Sequence, residues 1–207
     1  MPMVFVRFYA VGLLLFMLPY TRPFFISITS LSLLLTIGAA LFFHKDWNVR
    51  TVIWFLFIAV SSFLLEMKGV HTGKLFGNYA YERGLAPLVS GTPLIIGLNW
   101  LFLVYGSRAV VFKFRLRPWL RVLSGSLLMV AYDTVLEWVA PVMQMWRFDG
   151  GYPPLRNFVV WFAAALVYHT GFELLRIRTD NVPARSLFAA QIAFFIIIGI
   201  FSAIFIK

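Results

Sequence analysis

The chain contains 207 residues, of which 61% are hydrophobic and only 13% are charged, and it has three histidines and no cysteine. This apolar content exceeds that of soluble domains and predicts membrane-spanning helices within a single domain over residues 1–207. The lack of cysteine excludes disulfides, thiolate iron–sulfur centres and cysteine nucleophiles, and three scattered histidines cannot supply the cluster of a di-iron hydroxylase. The net charge of +10 comes largely from short loops, where topology and lipid headgroups explain it better than nucleic acid does.

Seven apolar segments follow one another and predict an all-α, polytopic integral membrane bundle of about seven transmembrane helices. They cover about residues 3–19, 24–43, 51–67, 92–112, 120–139, 157–175 and 186–206. The first segment is expected to be a span, because it lacks the strongly basic start and the cleavage site of a signal peptide. Nine loop cations on one side against seven on the other favour an N-terminus on the inner side.

The two longest connections, about residues 68–91 and 140–156, fall on the same face of the predicted bundle. Both are rich in Gly, Pro, Tyr and Trp rather than in solvating charge. Loops of this composition suit interfacial or re-entrant packing over a cavity, because amphipathic rings lie at headgroup depth. An ordinary aromatic belt is the alternative interpretation.

Asp133 and Glu137 lie one helical turn apart within the fifth apolar segment. A carboxylate in hydrocarbon costs at least about 2.5–3.5 kcal/mol, so such residues indicate a functional site. The i,i+4 spacing places both carboxyls on one helix face, where they can share a proton or a pocket. The alternative is a salt bridge from this face to an arginine on a neighbouring helix.

Further polar residues are expected to meet this pair near the long-loop face, because polar side chains in a membrane bundle face inward. They are Glu66, Asn99 and Asn157, from the third, fourth and sixth segments. The predicted aromatic walls are Trp100, Tyr132, Trp138, Trp146 and Trp161. A second i,i+4 pair, His169 and Glu173, lies towards the opposite face and is expected to be an interfacial anchor or to form an inter-helix hydrogen bond. No metal site is predicted, because no tight spacing of histidines and carboxylates occurs.

Two stretches of the chain resemble the signatures of the CruF-type carotenoid hydratases. The first is His71-Thr-Gly-x-x-Phe-Gly-x-Tyr79-x-Tyr81, continued by Gly91-Thr-Pro-Leu and Asn99-Trp100. The second is Asp133-x-x-x-Glu137 with Trp146, Gly151-Tyr-Pro-Pro-Leu-Arg-Asn157-Phe and Trp161. The resemblance covers about residues 64–175, in order and with similar gaps.

The resemblance implies an enzyme of bacterial carotenoid biosynthesis in the inner (cytoplasmic) membrane. Such an enzyme adds water to the terminal 1,2 double bond of an acyclic carotene end and needs no cofactor. Its expected partners are a carotenoid substrate from the lipid phase, membrane lipids and other enzymes of the same pathway, and not nucleic acid. The motif residues His71, Tyr79 and Tyr81 are then expected to bind substrate together with the polar and aromatic residues named above.

Hydrating a trisubstituted alkene requires an acid that protonates carbon and leaves a tertiary cation for water to capture. Asp133 is predicted to be this acid because it lies deeper, with Glu137 or Glu66 as proton reservoir or water-orienting base. Aromatic faces would stabilise the cation, and Asn99 and Asn157 would position the water. A carotenoid cyclase, a small proton-coupled transporter and a structural assembly subunit remain as alternatives.

Overall fold

The computed structural model describes residues 2–206, and their dominant feature is a bundle of α-helices. The helices in the described chain are α1 Pro2–Met17, α2 Arg22–Ser27, α3 Thr29–Phe42, α4 Val49–Thr72, α5 Ile96–Phe112, α6 Pro118–Val139, α7 Leu155–Leu174 and α8 Val182–Phe205. Each predicted apolar segment corresponds to one of these helices except the second, which is divided into α2 and α3.

The division between α2 and α3 lies at Ile28, whose backbone (φ −101°, ψ 8°) leaves the helical conformation. Two hydroxyls flank this break: Ser27 Oγ donates to the Phe24 carbonyl at 2.7 Å, and Thr29 Oγ1 donates to the Phe25 carbonyl at 3.3 Å. Hydroxyls that bond back to the preceding turn compete with the helical ladder and bend helices. An apolar segment that hydropathy presents as one span is therefore two helices.

Three helices are long and apolar enough to cross a membrane by length and composition: α4, α6 and α8. The helices α1, α3 and α5 are apolar but shorter. Together with the apolar surface of the bundle, these helices indicate a membrane protein. The number of seven crossings stays a prediction.

The prediction of an all-α bundle is confirmed for most of the described chain, and the two long connections also contain short strands. These are β1 Tyr79–Tyr81, β2 Leu88–Val89, β3 Thr92–Pro93 and β4 Trp146–Phe148. Strand β1 pairs antiparallel with β4, and β2 pairs with β3 through a turn in which Ser90 and Gly91 both have positive φ. Buried backbone groups need hydrogen-bond partners, and cross-strand pairing supplies them where helices end. We refer to the β1–β4 ribbon as the aromatic cap.

Helix α5 lies at the centre of the bundle and packs against α3, α4, α6, α7 and α8. Its residues are apolar almost all round, the pattern typical of a helix enclosed by others. Gly97 allows the close approach of α4, since a Cβ at this position would collide with the Ala59 carbonyl oxygen. Helices α4 and α5 therefore bring Glu66 and Asn99 to one region beneath the aromatic cap.

Candidate active site

A small cavity lies between the aromatic cap and the ends of α4, α5, α6 and α7. Its volume is about 20 Å3. This is enough for about one water molecule, whose centre needs roughly 10–15 Å3. The cavity is lined by Glu66, Phe76, Tyr79, Tyr81, Ile96, Asn99, Glu137, Trp146, Phe148, Asn157 and Trp161.

Glu66 is a buried carboxyl that accepts three side-chain hydrogen bonds. The Tyr79 and Tyr81 hydroxyls donate to its Oε2 at 2.6 and 2.8 Å, and Trp100 Nε1 donates to its Oε1 at 2.9 Å. Hydrogen bonds to a carboxylate are roughly twice as strong as those between neutral groups. These donors thus give Glu66 a polar shell within an apolar bundle and fix its orientation.

The aromatic cap presents one face of each strand to the cavity. Tyr79 and Tyr81 are two residues apart on β1, and Trp146 and Phe148 are two residues apart on β4, so each pair shares a side of the ribbon. Across the ribbon, the rings of Tyr79 and Phe148 stack with centroids 5.2 Å apart. Burial raises the pKa of the Tyr79 phenol above its usual value, and the neighbouring Glu66 raises it further. Tyr79 therefore remains a hydrogen-bond donor.

Asp133 and Glu137 are joined by a single amide from α7. Asn157 Nδ2 donates to Asp133 Oδ2 at 3.1 Å and to Glu137 Oε1 at 3.3 Å. Trp146 Nε1 donates to the other oxygen of Glu137 at 2.9 Å. Asp133 Oδ1 is buried and has no hydrogen-bond partner among residues 2–206. The Asp133–Asn157–Glu137 group is a carboxyl pair held by neutral donors.

The structure does not show the alternative arrangement, a salt bridge from this pair to an arginine. Within the described residues neither Asp133 nor Glu137 forms an ion pair. The buried ion pair lies instead at the opposite end of α7, where Glu173 contacts Arg108 and Arg121, both at 2.7 Å. The expectation of inter-helix contacts for Glu173 is thereby confirmed. Among residues 2–206 no cation forms an ion pair with the carboxyls beneath the cap, so protons and hydrogen bonds set the charge state of these carboxyls.

Most of the residues predicted for the site are brought together. Asn99, Asn157, Tyr79, Tyr81, Trp146 and Trp161 line the cavity with Glu66 and Glu137. Trp100 lies directly behind them and stacks on Trp161 with ring centroids 3.9 Å apart. Asp133 does not line the cavity but contacts it through Asn157. Their predicted catalytic and binding roles stay predictions.

Two predicted binding residues lie elsewhere. Helix α4 continues to Thr72, so His71 falls on its last turn, where it is exposed and its Nδ1 lies 2.7 Å from the Met67 carbonyl. Tyr132 points from α6 towards α8, with its ring against Phe188 and Phe195. Successive residues on a helix face about 100° apart, so Tyr132 cannot share the face of Asp133. Trp138 also lies elsewhere, exposed on α6 with its ring against Gly199 of α8. The prediction that Tyr132 and Trp138 form walls of the cavity is therefore wrong, and the binding role of His71 stays a prediction.

Sequence reasoning missed three lining residues, Phe76, Ile96 and Phe148. Phe148 had a signal, because Trp146-x-Phe148 repeats the alternation of Tyr79-x-Tyr81. Phe76 belongs to the first signature but is not distinguished by spacing from other aromatic residues. Ile96 has no signal beyond being apolar.

No group of three or more His, Cys, Asp or Glu side chains within the described part of the chain is arranged to hold a metal ion.

A second and larger cavity, of about 440 Å3, opens on the side of the bundle between α1, α3 and α8. Its walls are almost entirely apolar and include Tyr9, Leu33, Phe194 and Phe195. It contains none of the residues predicted for the site.

Comparison with known proteins gives one family. The sequence model of the family described as "Carotenoid biosynthesis protein" matches residues 27–206, which is most of the chain. Comparison with curated proteins and with solved structures gives no match. The matched range includes the aromatic cap and all the carboxyls beneath it.

Proposed function

Because the chain belongs to the carotenoid biosynthesis protein family, we propose that it is a membrane-embedded carotenoid 1,2-hydratase. It would add water to the terminal 1,2 double bond of an acyclic carotene end, of the lycopene or γ-carotene type. The observation that carries this proposal is the cavity of about 20 Å3, which is lined by two carboxyls, Glu66 and Glu137. Hydration requires a bound water, a proton donor and a proton acceptor within one enclosure.

The proposed reaction begins with proton transfer from the carboxylic acid of Glu137 to the less substituted alkene carbon. The π electrons form the new C–H bond, the neighbouring carbon becomes a tertiary cation, and Glu137 becomes a carboxylate. Glu137 is assigned this step because it lines the cavity. Asp133, which the sequence analysis favoured because it lies deeper along its helix, lies behind Asn157. Asp133 is proposed to hold the second proton of the pair and so to resupply Glu137.

Water in the cavity then attacks the cation and forms the C–O bond. The resulting oxonium loses a proton to Glu66, whose carboxylate faces the cavity and is oriented by three donors. Asp133 then passes its proton to Glu137, and return of the proton from Glu66 to the Asp133–Glu137 pair restores the starting state. The balance is one alkene and one water consumed and one tertiary alcohol formed, with no electron donor or acceptor.

Aromatic rings around the cavity suit the cationic intermediate. The side chains of Trp146, Trp161 and Tyr81 line it. Ring quadrupoles stabilise a nearby cation by about 0.5–2 kcal/mol each. Donation by Tyr81 and Trp146 to the carboxyls holds these two rings beside the cavity.

A carotene end group is several times larger than the cavity, so substrate binding requires movement of the enclosing elements. The aromatic cap is the proposed moving part, since its strands have three residues each and lie between helices rather than inside the bundle. Opening by separation of β1 from β4 would admit the end group from the lipid phase. Closure would exclude bulk water, which would otherwise compete for the proton.

The membrane character of the chain and its family support a site in the cytoplasmic membrane of a bacterium, where such substrates dissolve. Association with other enzymes of the pathway is part of the proposal, because the product stays in the same lipid phase.

The water-sized cavity favours hydration over ring closure, which shares the protonation step but needs no bound water.

The test is expression of the chain in a bacterium that accumulates lycopene or γ-carotene, followed by mass analysis of the extracted pigments. The proposal predicts a product heavier than its precursor by one water for each end that reacts. A product of unchanged mass with a shifted absorption spectrum would indicate a cyclase. Unchanged pigment in cells that contain the folded protein would contradict both activities.

A further inference from the structure

A basic hollow lies on the opposite face of the bundle from the aromatic cap, where the α3–α4 connection meets the α7–α8 connection. One part, of about 420 Å3, is lined by Lys45, Asp46, Trp47, Asn48, Arg176, Ile177 and Arg178. The adjoining part, of about 400 Å3, is lined by Asn48, Val49, Arg50, Leu175 and Arg176. The two parts share Asn48 and Arg176 and therefore form one surface, which we call the basic hollow.

The charges of the basic hollow are unbalanced. It holds four cations, Lys45, Arg50, Arg176 and Arg178, against the single acid Asp46, whose carboxylate lies 3.9 Å from Arg178 Nε. All five side chains are exposed. Cations in the loops of a membrane protein can reach the lipid headgroups, so a hollow with this excess of positive charge is suited to phosphate groups.

The end of α7 fixes the position of one of these cations. Arg176 has a positive φ of 55°, and the turn is closed by hydrogen bonds from Arg176 N to the Glu173 carbonyl at 3.1 Å and from Ile177 N to the Phe172 carbonyl at 3.0 Å. Glycine is the usual residue at such a helix end. Arginine in its place puts a guanidinium on the wall that the two parts of the hollow share.

An apolar groove begins beside the basic hollow and follows α4 and α7 along the side of the bundle. Its volume is about 480 Å3, and it is lined by Trp54, Leu166, Val167, Thr170, Gly171, Leu174 and Leu175. Leu175 belongs to both the groove and the hollow. The indole of Trp54 lies against α7 at Gly171, where a Cβ would collide with it. The indole is thus a flat, apolar wall of the groove.

We propose that the basic hollow and this groove together bind an anionic phospholipid. The phosphate would lie between Arg50 and Arg176, and one acyl chain would follow the groove over Trp54. Charge complementarity selects an anion, and the adjoining apolar groove selects an anion that carries a hydrocarbon chain. Arg50 and Glu66 are sixteen residues apart on α4, about 24 Å, so this site is separate from the proposed active site.

The competing explanation is that these cations only contribute to the general positive charge of this face. The chain offers a matched control, because Arg115 and Arg117 lie on another loop of the same face, between α5 and α6. Replacing either pair of arginines removes the same charge from the same side of the molecule. Only the pair in the basic hollow should change lipid selectivity.

The experiment titrates the purified protein in detergent with dioleoyl phosphatidylglycerol or dioleoyl phosphatidylcholine and counts bound lipids by native mass spectrometry. The wild type should bind phosphatidylglycerol more tightly. Arg50→Gln with Arg176→Gln should weaken that binding about 25-fold, or about fivefold for each arginine removed. Arg115→Gln with Arg117→Gln should change it less than about twofold. If the first pair fails to fold, Lys45→Gln with Arg178→Gln replaces it.

Two further arms test the nature of the ligand. Thr170→Trp should obstruct the groove and weaken phosphatidylglycerol binding while all cations remain. Inorganic phosphate at the same concentration should not displace the lipid. The proposal is overturned by equal binding of the two lipids, by equal losses in both arginine pairs, by an unchanged affinity in Thr170→Trp, or by displacement with phosphate.

Discussion

The side-chain amide nitrogen of Asn157 donates hydrogen bonds to two carboxyls of the same helix. Its Nδ2 has two hydrogens, and the two acceptors Asp133 Oδ2 and Glu137 Oε1 lie at 3.1 and 3.3 Å. Two neighbouring carboxyls in an apolar site avoid ionising together, so a shared neutral donor is compatible with a pair that keeps at least one proton. The pair is therefore suited to supply an acid to an alkene.

Glu137→Gln is expected to reduce hydration about 10²–10⁴-fold, the usual contribution of a general acid. The amide keeps the size of the side chain and can still accept from Trp146, but it cannot deliver a proton. The measurement is the initial rate of alcohol formation in membranes with equal amounts of protein. Glu82→Gln is the matched control, because Glu82 lies on the outer side of the cap and pairs with Arg147 at 3.1 Å. An unchanged rate in Glu137→Gln would assign proton delivery to another group.

Asp133→Asn is expected to lower the rate by at least about tenfold, but less than Glu137→Gln does. The variant retains an oxygen that can accept from Asn157 and loses only the proton that resupplies Glu137. The rates of both variants are compared with that of Asp180→Asn, because Asp180 is an exposed acid just before α8. A larger loss of rate in Asp133→Asn than in Glu137→Gln would indicate that Asp133 protonates the alkene directly, as its depth in the bundle suggested from the sequence.

The residues of the site were largely predictable because buried polar groups in a membrane bundle converge. Glu66, Asn99, Glu137 and Asn157 could be selected on that principle alone. Which carboxyl faces the cavity was not predictable, since depth along a helix does not give rotation about its axis. Tyr132 was misplaced for the same reason.

The strands of the aromatic cap could not be foreseen from periodicity. Each has three residues, and β1 and β4 are separated by more than sixty positions in sequence. Alternation over so few residues does not distinguish a strand from an aromatic loop. The helices were predicted more closely, because apolar runs of near-membrane length define them, although hydropathy did not reveal the break at Ile28.

A disulfide across the aromatic cap should block the reaction. Ala80 and Arg147 face each other in the β1–β4 register, and both side chains are exposed. Directly opposed strand residues have Cβ atoms about 4.5–5.5 Å apart, close enough to be bridged with a small shift. The natural chain has no cysteine, so Ala80→Cys with Arg147→Cys can form a single defined bond.

Oxidised Ala80→Cys/Arg147→Cys is expected to lose most of its activity, because the closed cavity has no room for a carotene end. Reduction should restore the rate to that of the reduced protein. Each single cysteine variant, treated with the same oxidant, controls for loss of the Glu82–Arg147 pair and for oxidation elsewhere. Full activity of the oxidised double variant would show that substrate reaches the site without separation of β1 and β4.

The whole bundle depends on the close contact of α4 with the central helix α5. Gly97→Ala is expected to destabilise the protein by about 1–3 kcal/mol, because the new methyl group meets the Ala59 carbonyl. The matched control is Gly38→Ala on α3, where a Cβ meets no atom within 4 Å and alanine favours the helix. Thermal unfolding in detergent should show a lower midpoint for the first variant only. Equal midpoints would contradict the tight α4–α5 contact.

The direct test of the proposed chemistry is the reaction of membranes containing the protein with lycopene in water enriched in oxygen-18. Proton delivery followed by water capture predicts that the new hydroxyl carries the heavy isotope in the proportion present in the solvent. The same reaction under oxygen-18 gas in ordinary water should give an unlabelled product. A product that takes its oxygen from the gas, or one that gains no oxygen, would contradict hydration by the carboxyl pair beneath the aromatic cap.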